Sequence, residues 1–163
     1  LWPGWIAAGK LQILAGAPGT GKTTIALDLA ARITTGGIWP DGTSAPQGAV
    51  IIASAEDDTA DTLVPRLLAA SADLGRVHFL DGVRVGPDIL PFDASRDAQR
   101  LIDAINSTGA RLVILDPLIS AMGGAFDSHN NVETRRALQP LADIAMRSGA
   151  SLLGISHFSK GTG

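Results

Sequence analysis

The residues most able to do chemistry form a glycine-rich segment near the start of the chain. The segment consists of Gly16, Ala17, Pro18, Gly19, Thr20, Gly21, Lys22 and Thr23, with Thr24 directly after them. Glycines let the backbone wrap around phosphate groups and direct its N–H groups at them. A lysine in this position can reach the β- and γ-phosphates, and the hydroxyl of Thr23 can bind Mg²⁺. The spacing therefore predicts a site for ATP with Mg²⁺.

The elements around this segment support the prediction. Residues 11–15 are predicted to be a strand that runs into the glycines, and residues 22–35 are predicted to be a helix. A bound phosphate would then meet the free N–H groups and the positive end of the helix dipole. A glycine-rich turn that fits the spacing by chance is the alternative, and it would not require this strand-to-helix context.

An acid follows an apolar stretch further along the chain. Residues 111–115 are predicted to be a buried strand, and Asp116 stands at its end. Ligands of parallel α/β sheets bind at the carboxyl ends of the strands, so Asp116 is expected beside the glycine-rich loop as a second Mg²⁺ ligand. The alternative is an aspartate that only caps the turn before Pro117.

Three consecutive acids, Glu56, Asp57 and Asp58, follow another predicted strand, residues 49–54. Glu56 is the closest of them to the strand end and is the candidate general base that activates water. The alternative is that the acids stabilise the start of the next helix, where negative charge is favourable. Asp57 and Asp58 suit that structural role.

The last predicted strand, residues 151–156, is followed by His157. A polar side chain there could contact the γ-phosphate and report its hydrolysis, so His157 is a candidate catalytic residue. A single histidine can equally be structural. Two interpretations of Lys160 remain open. Its charge could face a phosphate, as a contribution to a neighbouring subunit, or it could be an ordinary solvated lysine.

The remaining segments continue an alternation of strands and helices. A strand is predicted at residues 77–80, and helices are predicted at about 62–73, from Asp93 or Ser95 to Gly109, and at about 131–148 with a kink at Pro140. This alternation indicates an α/β fold of three layers with a mostly parallel central sheet. The length of 163 residues suits one domain over residues 1–163.

Composition excludes several classes of function. The chain has no cysteine, which excludes disulfides and thiolate metal sites. No apolar run approaches the ~20 residues that cross a bilayer, so a cytoplasmic location is expected. The net charge of −3 gives no overall basic footprint, and any DNA contact must come from local loops. Because the chain begins at Leu1 and stops in a loop-like stretch, we expect a fragment truncated at both ends.

Four segments together resemble the RecA-like P-loop ATPases, in particular the hexameric replicative helicases that include plasmid RepA helicases. The same segments are similar to the ATPase module of primase-helicase proteins. They are residues 14–24 (LAGAPGTGKTT), 54–58 (SAEDD), 112–118 (LVILDPL) and 156–161 (SHFSKG). The first is common to many ATPases, whereas the second and fourth are more selective.

The resemblance implies a ring in which ATP lies between adjacent subunits and loops of the central channel grip single-stranded DNA. It implies that Glu56 activates water and that His157 senses the γ-phosphate. The arginine that a neighbouring subunit contributes would be expected beyond Lys160. A fragment without it is expected to bind nucleotide better than it hydrolyses it.

Other functions remain open from the residues alone. A nucleotide-gated switch or a recombinase-like filament would use the same core, whereas a small-molecule kinase rarely needs both Asp116 and a separate acid such as Glu56. The loop 117–130 lacks basic residues and suits an ordinary connection. Within it, Asp127 and His129 are too few ligands for zinc. Trp39 suits packing better than stacking on adenine.

Overall fold

The computed structural model describes residues 1–123 and 131–157 of the chain. Lys160, Asp127 and His129 lie outside these residues. The strands within them are β1 (Leu11–Gly16), β2 (Ala49–Ser54), β3 (Val77–Phe79), β4 (Val83–Val85), β5 (Asp88–Leu90), β6 (Ala110–Asp116) and β7 (Ser151–His157). The α-helices are α1 (Lys22–Thr35), α2 (Val64–Ala69), α3 (Ala94–Thr108) and α4 (Asn131–Ser148).

Five strands form a parallel sheet in the order β1-β7-β6-β2-β3. Helices α1 and α2 pack with one face of this sheet, and α3 and α4 pack with the other. The predicted three-layer α/β fold with a parallel central sheet is therefore confirmed. Residues 49–53 of β2 and 112–115 of β6 are all apolar, because both faces of the sheet are covered there, as is usual in parallel sheets.

Helix ends follow the residues that the sequence singles out. Gly36 and Gly109 end α1 and α3 in the left-handed conformation, with φ of +68° at each. Asp93 caps α3, because its side chain accepts a hydrogen bond from the backbone N–H of Ser95. Helix α4 runs through Pro140 as one element, and the kink at this residue stays a prediction.

The predicted helix at 62–73 has the wrong boundaries. The helical segment starts earlier with a single π-helical turn, Thr59–Leu63, and continues as α2 only to Ala69. Asp58 caps it by accepting a hydrogen bond of 2.8 Å from the N–H of Asp61. The helical segment therefore begins after Asp58, because this side chain satisfies one of the free N–H groups of the first turn.

A short antiparallel hairpin, β4 and β5, was not predicted. Its two strands have only three residues each, and β5 is exposed along its whole length, so neither is long enough for a clear period-2 pattern. The signal in the sequence was the turn pair Gly86-Pro87, and Gly86 has a φ of +60° in the structure.

The N-terminal residues pack against the loop that follows α1. The ring of Trp2 stacks on Trp39 at a centroid distance of 4.9 Å, and its indole N–H donates to Asp41. Trp39 is only 1% exposed, so neither face of its ring is free for an adenine base. No helix in the described part of the chain is long and apolar enough to span a membrane.

Candidate active site

The order of the strands collects the predicted site residues at one edge of the sheet. Strand β7 lies between β1 and β6, and β2 lies on the other side of β6. Gly16 pairs in register with His157, and Ser54 pairs with Asp116. The glycine-rich loop, His157, Asp116 and Glu56 therefore all follow the carboxyl ends of adjacent strands, which is where ligands of such sheets bind.

The loop between β1 and α1 has the backbone that its glycines allow. Gly19 and Gly21 have φ of +75° and +82°, a region that side-chain-bearing residues avoid. Gly21 is the cap residue of α1, so the first N–H groups of the helix open toward the loop. The exposed stretch Ala17–Gly21 is thus a ready anion site at a helix start.

Lys22 is buried and folded back onto this loop. Its side chain is 6% exposed, and its ammonium group donates to the carbonyl oxygens of Gly16 at 3.1 Å and Ala17 at 2.8 Å. The hydroxyl of Thr20 donates to the same Ala17 carbonyl at 2.8 Å. These bonds hold the cation within the loop, where incoming phosphate oxygens can compete for it.

Thr23 and Asp116 meet directly. The hydroxyl of Thr23 donates to Oδ2 of Asp116 at 2.6 Å. Asp116 is 5% exposed, and its Oδ1 is buried without a hydrogen-bond partner among the described residues. An orphaned carboxylate oxygen beside a hydroxyl is the oxygen-ligand set that Mg²⁺ prefers, so these two residues fit a magnesium site.

The pKa of the Asp116 carboxyl also supports a cation at this position. Burial raises the pKa of its carboxyl above the ordinary value, and the negative charges of Glu56 and Asp57 raise it further. The hydrogen bond from Thr23 and the nearby His157 act in the opposite direction. The ionised carboxylate is therefore disfavoured in the folded chain, and a cation would relieve that cost.

Glu56 and His157 approach the same point from the open side of the edge. His157 Nε2 lies 3.4 Å from Oε2 of Glu56, and one ligand atom from each of Glu56, Asp116 and His157 lies within 4.8 Å of the others. The side chain of Glu56 is 55% exposed and that of His157 is 34% exposed. A carboxylate that is open to water and close to the phosphate loop is placed to accept a proton from water.

The neighbouring acids have other partners. Asp57 pairs with Arg66 at 3.3 Å, and its backbone N–H donates to the hydroxyl of Ser54. Asp58 caps the π-helical turn. Of the three consecutive acids, Glu56 alone belongs to the cluster with Asp116 and His157. Its assignment as general base stays a prediction, as do the roles of Lys22, Thr23 and His157.

One supporting residue was missed from the sequence. A Cβ atom at Gly154 in β7 would lie 2.6 Å from the side chain of Leu118, so only glycine lets Leu118 pack there. Leu118 begins the turn directly after Asp116 and Pro117, and its packing holds the chain that leaves the site. A glycine inside a strand often marks such a close approach, and this was the available signal.

Replacing Asp116 with asparagine is expected to stabilise the nucleotide-free chain while removing the stabilisation by Mg²⁺ and ADP. The amide has no charge to bury near Glu56 and Asp57, and its oxygen can still accept from Thr23. A gain of about 1 kcal/mol would raise the melting temperature by roughly 2–4 °C at this chain length. Thermal denaturation with and without Mg²⁺ and ADP measures both effects, and Asp103→Asn, at an exposed position of α3, is the matched control. An unchanged or lower melting temperature without nucleotide would contradict the electrostatic account.

Comparison with known protein families adds independent information about this site. The family model described as "AAA domain" matches residues 1–163, which include the glycine-rich loop and all of the clustered acids. No curated protein matches the chain.

Proposed function

We propose that this chain, which belongs to the AAA domain family, is the ATP-hydrolysing motor module of a ring-forming DNA helicase of replication. As a member of this family it is a P-loop ATPase module. The observation that carries the proposal is the meeting of Glu56 and His157 with the Thr23–Asp116 pair at one edge of the sheet. This edge combines groups for binding phosphates, activating water and sensing the γ-phosphate.

Each residue has a defined part in the proposed hydrolysis. Lys22 exchanges its bonds with the carbonyls of Gly16 and Ala17 for bonds with β- and γ-phosphate oxygens. Thr23 and Asp116 would hold Mg²⁺, which neutralises charge on the phosphates when bound. Glu56 accepts a proton from water as the water oxygen bonds to the γ-phosphorus. The bond between this phosphorus and the β,γ-bridging oxygen breaks, so ADP leaves with that oxygen and inorganic phosphate is formed.

His157 is suited to report the state of the nucleotide. It is the last residue of β7, the strand between β1 and β6, and Gly16 at the start of the phosphate loop is its register partner. Its imidazole contacts Glu56 at 3.4 Å. We propose that a γ-phosphate competes with Glu56 for this imidazole, so that hydrolysis changes the contacts of His157 at the end of β7.

The open side of the site supports assembly into a ring, with a hexamer expected. Because the side chains of Glu56 and His157 are partly exposed, a residue from an adjacent subunit could reach them. An arginine supplied in this way stabilises transition-state charge in other phosphoryl-transfer enzymes and accelerates them ~10³–10⁵-fold. Single-stranded DNA would be held by loops of the ring, since the net charge of −3 gives no general affinity for nucleic acid.

The proposal is tested by ATP hydrolysis in the protein that contains this chain, with and without single-stranded DNA. We expect DNA to stimulate hydrolysis severalfold, with the Glu56→Gln variant as the inactive control, and strand unwinding is then the second assay. Steady hydrolysis that is indifferent to DNA would contradict the helicase role. It would favour a nucleotide-gated switch or a recombinase-like ATPase without unwinding activity.

A further inference from the structure

The cluster of Glu56, Asp116 and His157 has a property that ATP binding does not require. It brings an imidazole together with two carboxylates, with one ligand atom from each within 4.8 Å of the others. We propose that these three side chains bind a borderline divalent transition cation, of which Zn²⁺ is the type, when no nucleotide is present.

The distances fit such an ion. Zn²⁺ binds histidine nitrogen and carboxylate oxygen at about 2.0–2.2 Å, so neighbouring ligands of a tetrahedral site lie about 3.4 Å apart. His157 Nε2 and Glu56 Oε2 are separated by 3.4 Å. All three ligand atoms lie within 4.8 Å of one another.

Asp116 provides a second, independent indication of a ligand. It is 5% exposed, and its Oδ1 is buried with no hydrogen-bond partner among the described residues. Its other oxygen is occupied by the hydroxyl of Thr23 at 2.6 Å. A buried polar atom without a partner is costly, and a cation would satisfy it.

The donor set selects the class of metal. Imidazole is a ligand for zinc and other first-row transition metals, whereas Mg²⁺ prefers an octahedral shell of oxygen atoms. Three protein ligands leave a fourth position for water, the usual arrangement in open zinc sites. The exposed sides of Glu56 and His157 provide the entry path for the ion.

The site differs in its ligands from the proposed magnesium site. Both would use Asp116, but the transition cation takes Glu56 and His157 in place of Thr23 and the phosphates. Binding of the ion does not rest on the proposed function, because it occurs without nucleotide. The effect of the ion on hydrolysis does rest on the proposed function. A bound ion would engage both Glu56, the proposed general base, and His157, the proposed sensor, so it would inhibit hydrolysis.

Calorimetric titration of the nucleotide-free protein with Zn²⁺, in buffer without Mg²⁺, tests the binding. The visible absorption of Co²⁺, added in its place, reports imidazole coordination. We expect one ion per chain, and His157→Ala should weaken its binding more than about tenfold, because even loss of a residue that orients a ligand costs 10–100-fold. The matched controls are His78→Ala and His129→Ala. His78 is an exposed residue of β3, and His78 and His129 are the other two histidines of the chain.

Several results would overturn the proposal. They are equal affinity in His157→Ala, loss of binding in His129→Ala, or Mg²⁺ alone binding as tightly as Zn²⁺. If His157→Ala does not fold, Glu56→Gln decides in its place, and unchanged Zn²⁺ affinity there would overturn the proposal too. Failure of this proposal and failure of the proposed function can be told apart. This proposal fails on the Zn²⁺ affinity of the nucleotide-free protein, whereas the proposed function fails if hydrolysis is indifferent to DNA. Retained binding of Mg²⁺ and ADP by His157→Ala would show that the nucleotide site of this variant is intact.

Discussion

Lys22→Ala is expected to weaken ATP binding by ~10²-fold or more. The ammonium group of Lys22 is held 2.8–3.1 Å from two loop carbonyls, within a loop whose backbone is shaped for phosphates. Each hydrogen bond to a charged group contributes ~1.5–3 kcal/mol, and two such bonds to phosphate oxygens account for the expected loss. Calorimetric titration with ATP and Mg²⁺ measures the affinity directly.

Lys10→Ala is the matched control for this variant. Lys10 is exposed and lies before β1, so its removal takes the same charge from the chain without touching the loop. The environment of the buried Trp39 gives a fluorescence check that both variants are folded. Micromolar affinity for ATP in a folded Lys22→Ala variant would refute the assignment of the phosphate site.

Glu56→Gln is expected to slow ATP turnover by ~10²-fold or more while leaving nucleotide binding intact, as loss of a general base does. The amide has the same shape and can still contact His157 at the position of Oε2. It cannot accept a proton from water at neutral pH. Turnover is measured under saturating ATP in the protein that contains this chain, and affinity is measured separately by titration with ADP and Mg²⁺.

Asp57→Asn is the control that separates Glu56 from its neighbours. It removes the adjacent negative charge and the contact with Arg66, a partly exposed pair worth ~1 kcal/mol at most. Hydrolysis should be nearly unaffected. If instead Asp57→Asn stops turnover and Glu56→Gln does not, the general base is Asp57 and the interpretation of the cluster must change.

Much of the fold could be predicted because the signals are local. Apolar runs mark the central residues of β2 and β6, and the spacing of glycines before Lys22 marks the loop between β1 and α1. The caps at Gly36, Asp93 and Gly109 depend only on residues within one helical turn. Each of these features is determined by the backbone and its nearest side chains.

The features that escaped prediction depend on distant contacts. The stacking of Trp2 on Trp39 and the packing of Leu118 on Gly154 join segments far apart in sequence. The contacts within the candidate site also join segments that are far apart in sequence. Glu56 and His157 follow strands that are separated by β6, so their contact depends on the strand order and register, which no local pattern contains.

The inward fold of Lys22 also bears on which ligands the chain can discriminate. A nucleoside that enters the loop must displace two internal hydrogen bonds of the lysine and offers no anionic oxygen to replace them. Selection against uncharged nucleosides is therefore built into this conformation of the loop, before any residue that recognises the base takes part.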